Sequence, residues 1–350
     1  MKSKLFKTNE TYFIADIAAN HDGDLKKAID LIHLAAEAGA DVAKFQHFKA
    51  NTIVSDYGFR SLQSKSSHQS KWKKTVFETY VDASVPDKWT SILIEECKKA
   101  NIEFFSSPYD FNSVDMLNKH GVAAHKIGSG DITWIEIIEY IAKSRVPVFI
   151  ATGAADILDV KRAMRVLIKE KAKICLMQCN TNYTGSEDNF RYINLKVLNT
   201  YKELFPDVVL GLSDHTPGHS TVLGAVSLGA RVIEKHFTDD NKREGPDHLF
   251  SLNPKTWRDM VDATRELENS LGIEEKKIED NEKDTVILQR RAIRLNQDLH
   301  KGHILKKENL SFLRPAPIDS IAPYEFENVL SKELKNEKKN GDYLKYEDLK

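Results

Sequence analysis

Short runs of apolar, mostly β-branched residues alternate along the chain with longer stretches in which apolar residues recur every three to four positions. The short runs have the length of β-strands, and the longer stretches have the periodicity of amphipathic helices. One such stretch, residues 25–38, is apolar on one face and is followed by Gly39, a residue that commonly ends helices. The pattern predicts eight strands, at residues 12–18, 42–48, 103–107, 124–129, 146–152, 174–180, 208–215 and 231–238.

The alternation of strands with helices indicates parallel strands joined by right-handed crossovers. Eight such units predict a closed (β/α)8 barrel, the TIM barrel class of α/β folds, and an open doubly wound sheet is the alternative. The gap between the second and third strands, residues 48–103, is too long for one helical crossover. Within it, residues 55–74 are rich in Ser, Gln, Lys and His, which indicates an inserted loop.

The last quarter of the chain has a different pattern. A helix-like stretch at residues 254–269 leads into residues 274–284, which are mostly charged and predict a solvated linker. Beyond it, short strand-like pieces recur at residues 291–295 and 310–314 without a long helix. We therefore predict a barrel domain at residues 1–270, a linker at 271–289 and a small second domain at 290–350.

The overall charge and composition exclude several classes of protein. The chain has 51 Lys and Arg residues against 52 Asp and Glu residues, so no net field recruits nucleic acid or an anionic membrane. The absence of an 18-residue apolar run and of a signal-peptide pattern predicts a cytoplasmic protein. Three cysteines, Cys97, Cys175 and Cys179, are predicted to be reduced and structural.

Two histidines end the last two predicted strands. His215 follows the run Gly211 to Asp214, and His236 lies in the run that ends at Thr238. Their separation of 21 residues corresponds to one strand-helix-strand unit, so neighbouring parallel strands bring the two rings together. Neutral imidazole is a common ligand of divalent transition metals, which predicts a metal site. Two hydrogen-bonded histidines at a sheet edge are the alternative.

Polar side chains converge at the carboxyl ends of the predicted strands, where barrels carry their active sites. Lys44 and Lys126 lie within apolar runs, and a buried lysine requires a partner of opposite charge. With nearby hydroxyl groups they predict a site for a small phosphate or carboxylate, and buried ion pairs with aspartates are the alternative. Gly128 and Gly130 flank Ser129 and allow backbone amides to approach an anion.

Five motifs give the chain a specific family resemblance over nearly its whole length. It resembles the sialic acid synthase family, which comprises bacterial N-acetylneuraminate synthases and their legionaminate and pseudaminate relatives. The motifs are IADIAANHDG at 14–23, KIGSGD at 126–131, LSDHT at 212–216, EKHFT at 234–238 and GPDH at 245–248. The resemblance implies a TIM barrel followed by an antifreeze-like (SAF, β-clip) domain. It also implies a homodimer in which each small domain covers the partner's barrel, with Arg314 reaching the neighbouring active site.

By this resemblance, the enzyme is a transferase that condenses phosphoenolpyruvate with an N-acetylmannosamine-type aldehyde sugar. The products are a nine-carbon 2-keto acid and phosphate. A divalent metal, Mn²⁺ with Mg²⁺ or Co²⁺ as alternatives, is implied at His215 and His236. The implied catalytic residues are Asp16, Lys44, Lys126, His215 and His236. The implied substrate-binding residues are Gln46, Ser107, Tyr109, Ser129, Asp131, Thr152, Asn180, Tyr183, Ser213, Asp247 and Arg314.

Four positions depart from the better-known members of that family. Asp16 and Asp131 stand where glutamate is usual, Thr181 stands at a family asparagine, and Ala151 stands where serine is frequent. Because these positions face the substrate, we hypothesise that the chemistry is retained and that the sugar is a diacetamido-trideoxyhexose. Another phosphoenolpyruvate-dependent synthase acting on a phosphorylated aldose is an alternative. An inactive carbohydrate-binding or ice-binding protein is a further alternative.

Overall fold

A computed structural model describes residues 10–62 and 72–350 of the chain. The chain divides at Gly272 into two compact units, which are described separately below. The sequence predicts the end of the barrel domain at residue 270. No helix among the described residues combines the length and apolarity that crossing a membrane requires.

The first unit is a closed barrel of eight parallel strands in the order β1 to β8, so the prediction of a TIM barrel is confirmed. The barrel closes through β1 and β8, which pair from Tyr12 opposite Val232 to Asp16 opposite His236. The strands are β1 (Tyr12–Asp16), β2 (Val42–His47), β3 (Glu103–Pro108), β4 (His125–Ile127), β5 (Val148–Ala151), β6 (Ile174–Cys179), β7 (Val209–Asp214) and β8 (Val232–His236).

Helices surround the barrel and bury their apolar faces against it. Several begin at a polar residue whose side chain accepts hydrogen bonds from the first turn, among them Asp24, Asp110, Asp156 and Asn253. The helices of this unit are α1 (Leu25–Glu37), α2 (Ala50–Ile53), α3 (Asp56–Ser61), α4 (Val76–Ala83), α5 (Thr90–Lys99), α6 (Phe111–Lys119), α7 (Ile135–Ala142), α8 (Ile157–Lys169), α9 (Val197–Leu204), α10 (Ser220–Ser227) and α11 (Pro254–Leu271).

Alternation along the strands separates structural from site-facing side chains. In β8 every residue is buried, yet Glu234 and His236 line the barrel interior while the intervening Lys235 points to the outside. Lys235 Nζ lies 2.5 Å from Asp214 Oδ2, which balances its charge, and 2.6 Å from the carbonyl oxygen of Thr216, which accepts a hydrogen bond from it. A layer that includes Phe105, Phe149 and Met177 fills the lower barrel. The polar residues at the carboxyl end of the barrel therefore lie next to a packed apolar core.

The prediction of a loop at residues 55–74 is wrong in part, because this segment contains helix α3. The hydroxyl of Ser55 accepts a hydrogen bond from the Gly58 amide, and Arg60 pairs with Asp56 one turn away. These local contacts stabilise a short helix whose composition resembles that of a loop. Residues 63–71 of the predicted loop lie outside the described residues.

The second unit, Ile273–Lys350, has its own small core. Strands β9 (Ala292–Leu295) and β10 (Leu310–Leu313) pair in antiparallel fashion, in agreement with the two predicted strand-like pieces. Its core includes Ile293, Leu305 and Leu344. Helix α12 (Lys283–Gln289) occupies part of the predicted linker, and α13 (Phe326–Val329) is a single turn.

Candidate active site

The carboxyl end of the barrel contains an inner chamber and an outer pocket. The inner chamber, of about 330 Å³ including its open side, is lined by Asp16, Lys44, Gln46, Ser107, Tyr109, Lys126, Gly128, Ser129, Ala151, Cys179, Tyr183, Ser213, His215, Glu234 and His236. The outer pocket, of about 650 Å³ including its open mouth, is lined by Ala19, Gln46, Phe48, Trp72, Thr79, Tyr80, Ala83, Tyr109, Tyr183, His236, Pro246 and Asp247. Four residues, Gln46, Tyr109, Tyr183 and His236, line both.

Two lysines and two carboxylates form an ion-pair network in the inner chamber. Lys44 Nζ lies 2.6 Å from Asp16 Oδ2, and Lys126 Nζ lies 2.7 Å from Glu234 Oε1. Glu234 Oε1 also accepts a hydrogen bond from the Ser213 hydroxyl at 3.0 Å, and Glu234 Oε2 lies 3.8 Å from Lys44 Nζ. Lys44 thus pairs with an aspartate, as the ion-pair alternative supposes, whereas the partner of Lys126 is a glutamate. Both lysines also line the chamber.

The two carboxylates of this network differ in proton affinity. Burial raises the pKa of Asp16, and the nearby Lys44 ammonium only partly offsets that effect. Burial acts in the same direction on Glu234, but Lys126 and Lys44 together lower its pKa to about 2. The pKa of Lys44 is raised, because its two carboxylate neighbours outweigh the effect of burial. Glu234 is therefore a fixed anion, and Asp16 is the better proton acceptor.

Three buried polar atoms of chamber-lining residues have no hydrogen-bond partner among the residues that the structure describes. They are Ser107 Oγ, Glu234 Oε2 and His236 Nδ1. A buried polar group without a partner costs about 1–3 kcal/mol. Such groups cluster where a polar ligand or ion completes their hydrogen bonds or coordination. The chamber is thus organised to receive a polar ligand.

The two predicted metal-binding histidines lie side by side, with ring centroids 5.3 Å apart. Burial lowers the pKa of His215 to about 3 and that of His236 to about 4, so both rings are neutral at physiological pH. His215 Nδ1 lies 2.8 Å from the carbonyl oxygen of Asn180. With a proton on that nitrogen, the Nε2 lone pair of His215 is free.

The surroundings of these histidines fit a divalent transition metal. His236 Nε2 lies 3.6 Å from Asp16 Oδ2, and its Nδ1 lies 3.8 Å from Asp247 Oδ2. Among the described residues, no three His, Cys, Asp or Glu side chains are arranged to hold a metal ion together. The protein thus offers two neutral imidazoles next to carboxylates, an arrangement that leaves coordination positions for substrate or water.

Several predicted substrate-binding residues line the chamber or the pocket. Gln46, Ser107, Tyr109, Ser129, Tyr183 and Ser213 line the inner chamber, and Asp247 lines the outer pocket. Ser129 Oγ accepts a hydrogen bond from the Gly153 amide at 2.9 Å, which fixes the hydroxyl. The ring of Tyr183 contacts that of His215 edge to face, with centroids 4.4 Å apart. The barrel thus brings together residues from six different strand ends.

Four other predicted residues lie elsewhere. The Thr152 hydroxyl donates to the Met177 carbonyl oxygen at 3.0 Å and lies 3.0 Å from the Tyr201 hydroxyl, while the neighbouring Ala151 lines the chamber. Asn180 contributes its carbonyl oxygen to His215. Asp131 ends a short 3-10 turn that begins at Ser129 and lines neither cavity. Arg314 belongs to the second unit.

Near the lysines and histidines, the structure adds residues that the sequence prediction did not include, among them Glu234, Cys179 and Phe250. Glu234 and Cys179 line the inner chamber, and the ring of Phe250 packs 4.9 Å from that of His236. Glu234 could have been found from the strand period, since it lies two residues before His236 and therefore shares its face. No sequence signal points to Phe250, because it reaches the histidines from the loop after β8.

Burial of Asp131 makes a testable contribution to stability. Burial raises its pKa to about 6, above the ordinary value of 3.8. The folded state therefore favours the protonated form, whose stabilising contribution is complete below pH 4 and is lost as the pH rises through about 6. We expect Asp131→Asn to raise the free energy of unfolding at pH 8 by up to about 3 kcal/mol and to change it little at pH 4.

Urea unfolding of both proteins at pH 4, 6 and 8 measures this difference. The control is Asp280→Asn, since the Asp280 side chain is 94% exposed. An Asp131→Asn effect that is equal at all three pH values would contradict the buried-carboxyl account.

The outer pocket has a different chemical character. Aromatic rings from Phe48, Trp72, Tyr80, Tyr109 and Tyr183 form much of its wall, together with small apolar residues and the polar side chains of Gln46, Thr79, His236 and Asp247. The ring of Phe48 lies 5.3 Å from that of Tyr80 and 5.8 Å from that of Tyr109. Of the residues that the structure describes, no lysine or arginine lines this pocket. Its described wall thus combines apolar surface, which suits apolar substituents of a ligand, with a few polar groups.

Comparison with known proteins agrees with this geometry. Residues 31–276 match the NeuB family, and residues 290–350 match the SAF domain. The N,N'-diacetyllegionaminic acid synthase of Legionella pneumophila is 36% identical over 96% of this chain and 94% of its own length. The pseudaminic acid synthase of Campylobacter jejuni is 33% identical over 98% of each chain.

Among solved structures, the N-acetylneuraminic acid synthetase of Leptospira borgpetersenii, in complex with citrate, is 30% identical. It superimposes with a TM-score of 0.69 over 79% of this chain and 90% of its own. The family match covers most of the barrel, and the relatives match both units. The chain therefore belongs to the NeuB family and carries a C-terminal SAF domain.

Proposed function

We propose that this protein is a nonulosonic acid synthase that condenses phosphoenolpyruvate with an amino-sugar aldehyde. The observation that carries the proposal is the inner chamber, where two buried lysines and several hydroxyl groups lie beside two neutral histidines. This set suits a small, strongly anionic substrate next to a carbonyl group. Relatives named legionaminic and pseudaminic acid synthases, which match 96% and 98% of this chain, support it.

The proposed reaction uses one water molecule. Carbon 3 of phosphoenolpyruvate attacks the aldehyde carbon, forming a carbon-carbon bond, and the aldehyde oxygen takes up a proton to become a hydroxyl group. Water adds to the cationic carbon 2 and loses a proton. The resulting tetrahedral species expels inorganic phosphate by cleavage of its carbon-oxygen bond, which leaves the 2-keto acid.

In this proposal, Lys44 and Lys126 bind the phosphate and carboxylate groups of phosphoenolpyruvate, assisted by the hydroxyls of Ser107, Ser129 and Ser213. The lysines are already balanced by Asp16 and Glu234, so the bound substrate brings uncompensated negative charge. Additional positive charge is needed. We propose that a divalent metal and Arg314 of the partner subunit supply it.

The proposed task of Asp16 is to position the attacking water and accept its proton. Its raised pKa suits a proton acceptor better than the low pKa of Glu234. His215 and His236 would hold a divalent metal, Mn²⁺ with Mg²⁺ or Co²⁺ as alternatives, which polarises the sugar's aldehyde as a Lewis acid. Gln46, Tyr183 and Asp247 orient the sugar, since they line the space next to His236.

Metal binding by the two histidines is directly measurable. We expect His215→Ala to weaken Mn²⁺ binding by about 100-fold or more, because it removes one of two imidazole ligands. Titration calorimetry with Mn²⁺ on metal-free protein measures the dissociation constant. His33→Ala is the control, since His33 pairs with Glu96 on the surface and is expected to leave Mn²⁺ affinity unchanged. Equal affinities of the two variants would contradict the assignment.

For the sugar, we propose an unphosphorylated diacetamido-trideoxyhexose. The aromatic part of the outer pocket suits methyl and acetamido groups, and among the described residues no lysine or arginine lines this pocket to bind a sugar phosphate. We expect kcat/KM for such a sugar to exceed that for N-acetylmannosamine by at least about tenfold, and arabinose 5-phosphate to be inert. Phosphate release measured across the three sugars tests this, and equal or greater efficiency with N-acetylmannosamine would contradict it.

We also propose a cytoplasmic homodimer in which the SAF domain of one subunit covers the barrel of the other. The exposed Ile318 and Tyr324 of the second unit support an interface, because these residues are 92% and 89% exposed in the single chain. Three free, buried cysteines are consistent with a reducing compartment.

A further inference from the structure

The loop after β8 is held to the loop after β1 by a hydrogen-bond chain through one buried histidine. His248 is fully buried. Its Nε2 lies 3.1 Å from Asp22 Oδ1, and its Nδ1 lies 2.6 Å from Thr238 Oγ1. We call Asp22, His248 and Thr238 the latch. Because both ring nitrogens are engaged, the latch fixes the position of the imidazole and also its orientation.

The charge at the Asp22 end defines the direction of the chain. Burial raises the pKa of Asp22, but hydrogen bonds from His248 and Lys27 outweigh it and hold the pKa below its ordinary value. The ionised carboxylate accepts a hydrogen bond from the Nε2–H group of His248. Nδ1 then accepts a hydrogen bond from the Thr238 hydroxyl, so the hydrogen bonds run in one direction, from Thr238 through His248 to Asp22.

The loop after β8, which the latch holds in place and which we call the latched loop, carries two groups that reach the candidate active site. Asp247 Oδ2 accepts a hydrogen bond from the Ala19 amide at 3.2 Å and lies 3.8 Å from His236 Nδ1. Phe250 packs against both histidine rings, with centroids 4.9 Å from His236 and 5.8 Å from His215. His248 lies between these two residues in the chain. Its position therefore determines where Asp247 and Phe250 can lie.

A second set of contacts shows how closely the loop fits around His248. A Cβ atom on Gly245 would lie 2.6 Å from His248 Cδ2 and 3.1 Å from its Nε2. The backbone of Gly245 is not in the left-handed region, so glycine is required there by space alone. Asn241 donates its side-chain amide to the carbonyl oxygen of His248 at 2.9 Å. The ring is thus confined by contacts on several sides.

We propose that His248 is a positioning residue for the sugar and metal side of the site, acting through Asp247 and Phe250. The proposal rests on the proposed function for the identity of the substrates. The lysines that would bind phosphoenolpyruvate lie on β2 and β4 rather than on the loop after β8. Loss of the latch should therefore weaken binding of the sugar and of the metal and leave binding of phosphoenolpyruvate nearly unchanged.

The test is His248→Asn in the full-length protein. Residues that orient groups of a metal site typically affect affinity by about 10–100-fold. We expect the KM for the diacetamido sugar and the Kd for Mn²⁺ each to rise by about tenfold, with the KM for phosphoenolpyruvate within about twofold of wild type. Gly245→Ala should reproduce this pattern by displacing the ring, and the double variant should be no worse than the worse single one.

The matched control is His47→Asn. His47 is also a buried histidine with both ring nitrogens at hydroxyl groups, 2.6 Å from Ser106 Oγ and 2.9 Å from Thr90 Oγ1, but it lines neither cavity. It should lose comparable stability and retain wild-type KM and Kd values. The proposal is overturned if His248→Asn has the same KM and Kd values as His47→Asn. It is also overturned if His248→Asn raises the KM for the sugar and the KM for phosphoenolpyruvate equally. If the wild-type protein has no synthase activity, the proposed function is refuted instead. The Kd for Mn²⁺ of His248→Asn, compared with those of wild type and His47→Asn, then tests the role of the latch by itself.

Discussion

Replacement of Lys126 by methionine is expected to lower kcat/KM for phosphoenolpyruvate by about 10³-fold and to destabilise the barrel by about 3 kcal/mol. The first effect follows from loss of a buried cation that faces the proposed phosphate site. The second follows because Lys126 neutralises Glu234 at 2.7 Å, and its removal leaves a buried carboxylate whose nearest remaining cation is Lys44 at 3.8 Å. Steady-state kinetics and urea unfolding measure the two effects.

A double variant separates folding from function. Lys126→Met combined with Glu234→Gln removes both charges, so most of the stability should return while activity stays low. Lys235→Met is the control, since Lys235 lies on the outer face of β8, next to Glu234, and forms a buried ion pair with Asp214 of β7. It should lose stability and keep its kinetic constants in the folded fraction. Recovery of activity with stability in the double variant would show that Lys126 serves only the fold.

Arg314→Ala is expected to cut turnover by about 100-fold or more while leaving the barrel folded. The reason is the proposed crossover dimer, in which Arg314 of one subunit adds positive charge to the chamber of the other. His236→Ala is expected to be inactive as well, because it removes a proposed metal ligand. The measurement is turnover by each variant alone and by their mixture after subunit exchange.

Mixing the two inactive variants should restore activity. A mixed dimer contains one barrel with His236 intact that receives Arg314 from the partner subunit. Random exchange makes half of the dimers mixed, so about one quarter of the sites become complete. Mixing Arg314→Ala with itself after the same treatment is the control. No recovery under demonstrated subunit exchange would contradict the shared site.

The barrel could be predicted from sequence because its strands are buried and its helices are amphipathic. Both patterns are local and repeat along the chain, so strands such as Ile174–Cys179 stand out without knowledge of their neighbours. The structure of the segment after β2 is harder to predict from sequence. Helix α3 depends on the Ser55 cap and the Asp56 to Arg60 pair, and its composition is that of a loop.

The site could be predicted in part. Position at a strand end led to Lys44, Lys126, His215 and His236, which the barrel brings together. Glu234 lies in the EKHFT motif at 234–238, yet its pairing with Lys126 depends on which strands face each other across the barrel. Thr152 follows a strand, but its hydroxyl bonds to Tyr201, a contact set by the packing of α9. Such tertiary contacts have no local sequence signal.

The measurement that tests the central claim most directly is mass spectrometry of the products formed from phosphoenolpyruvate and a diacetamido-trideoxyhexose with Mn²⁺. The account predicts that a nine-carbon 2-keto acid and inorganic phosphate appear in equal amounts and only when both substrates are present. Phosphate release that does not depend on the sugar, or the absence of any new acid across the sugar panel with folded, metal-loaded protein, would contradict it.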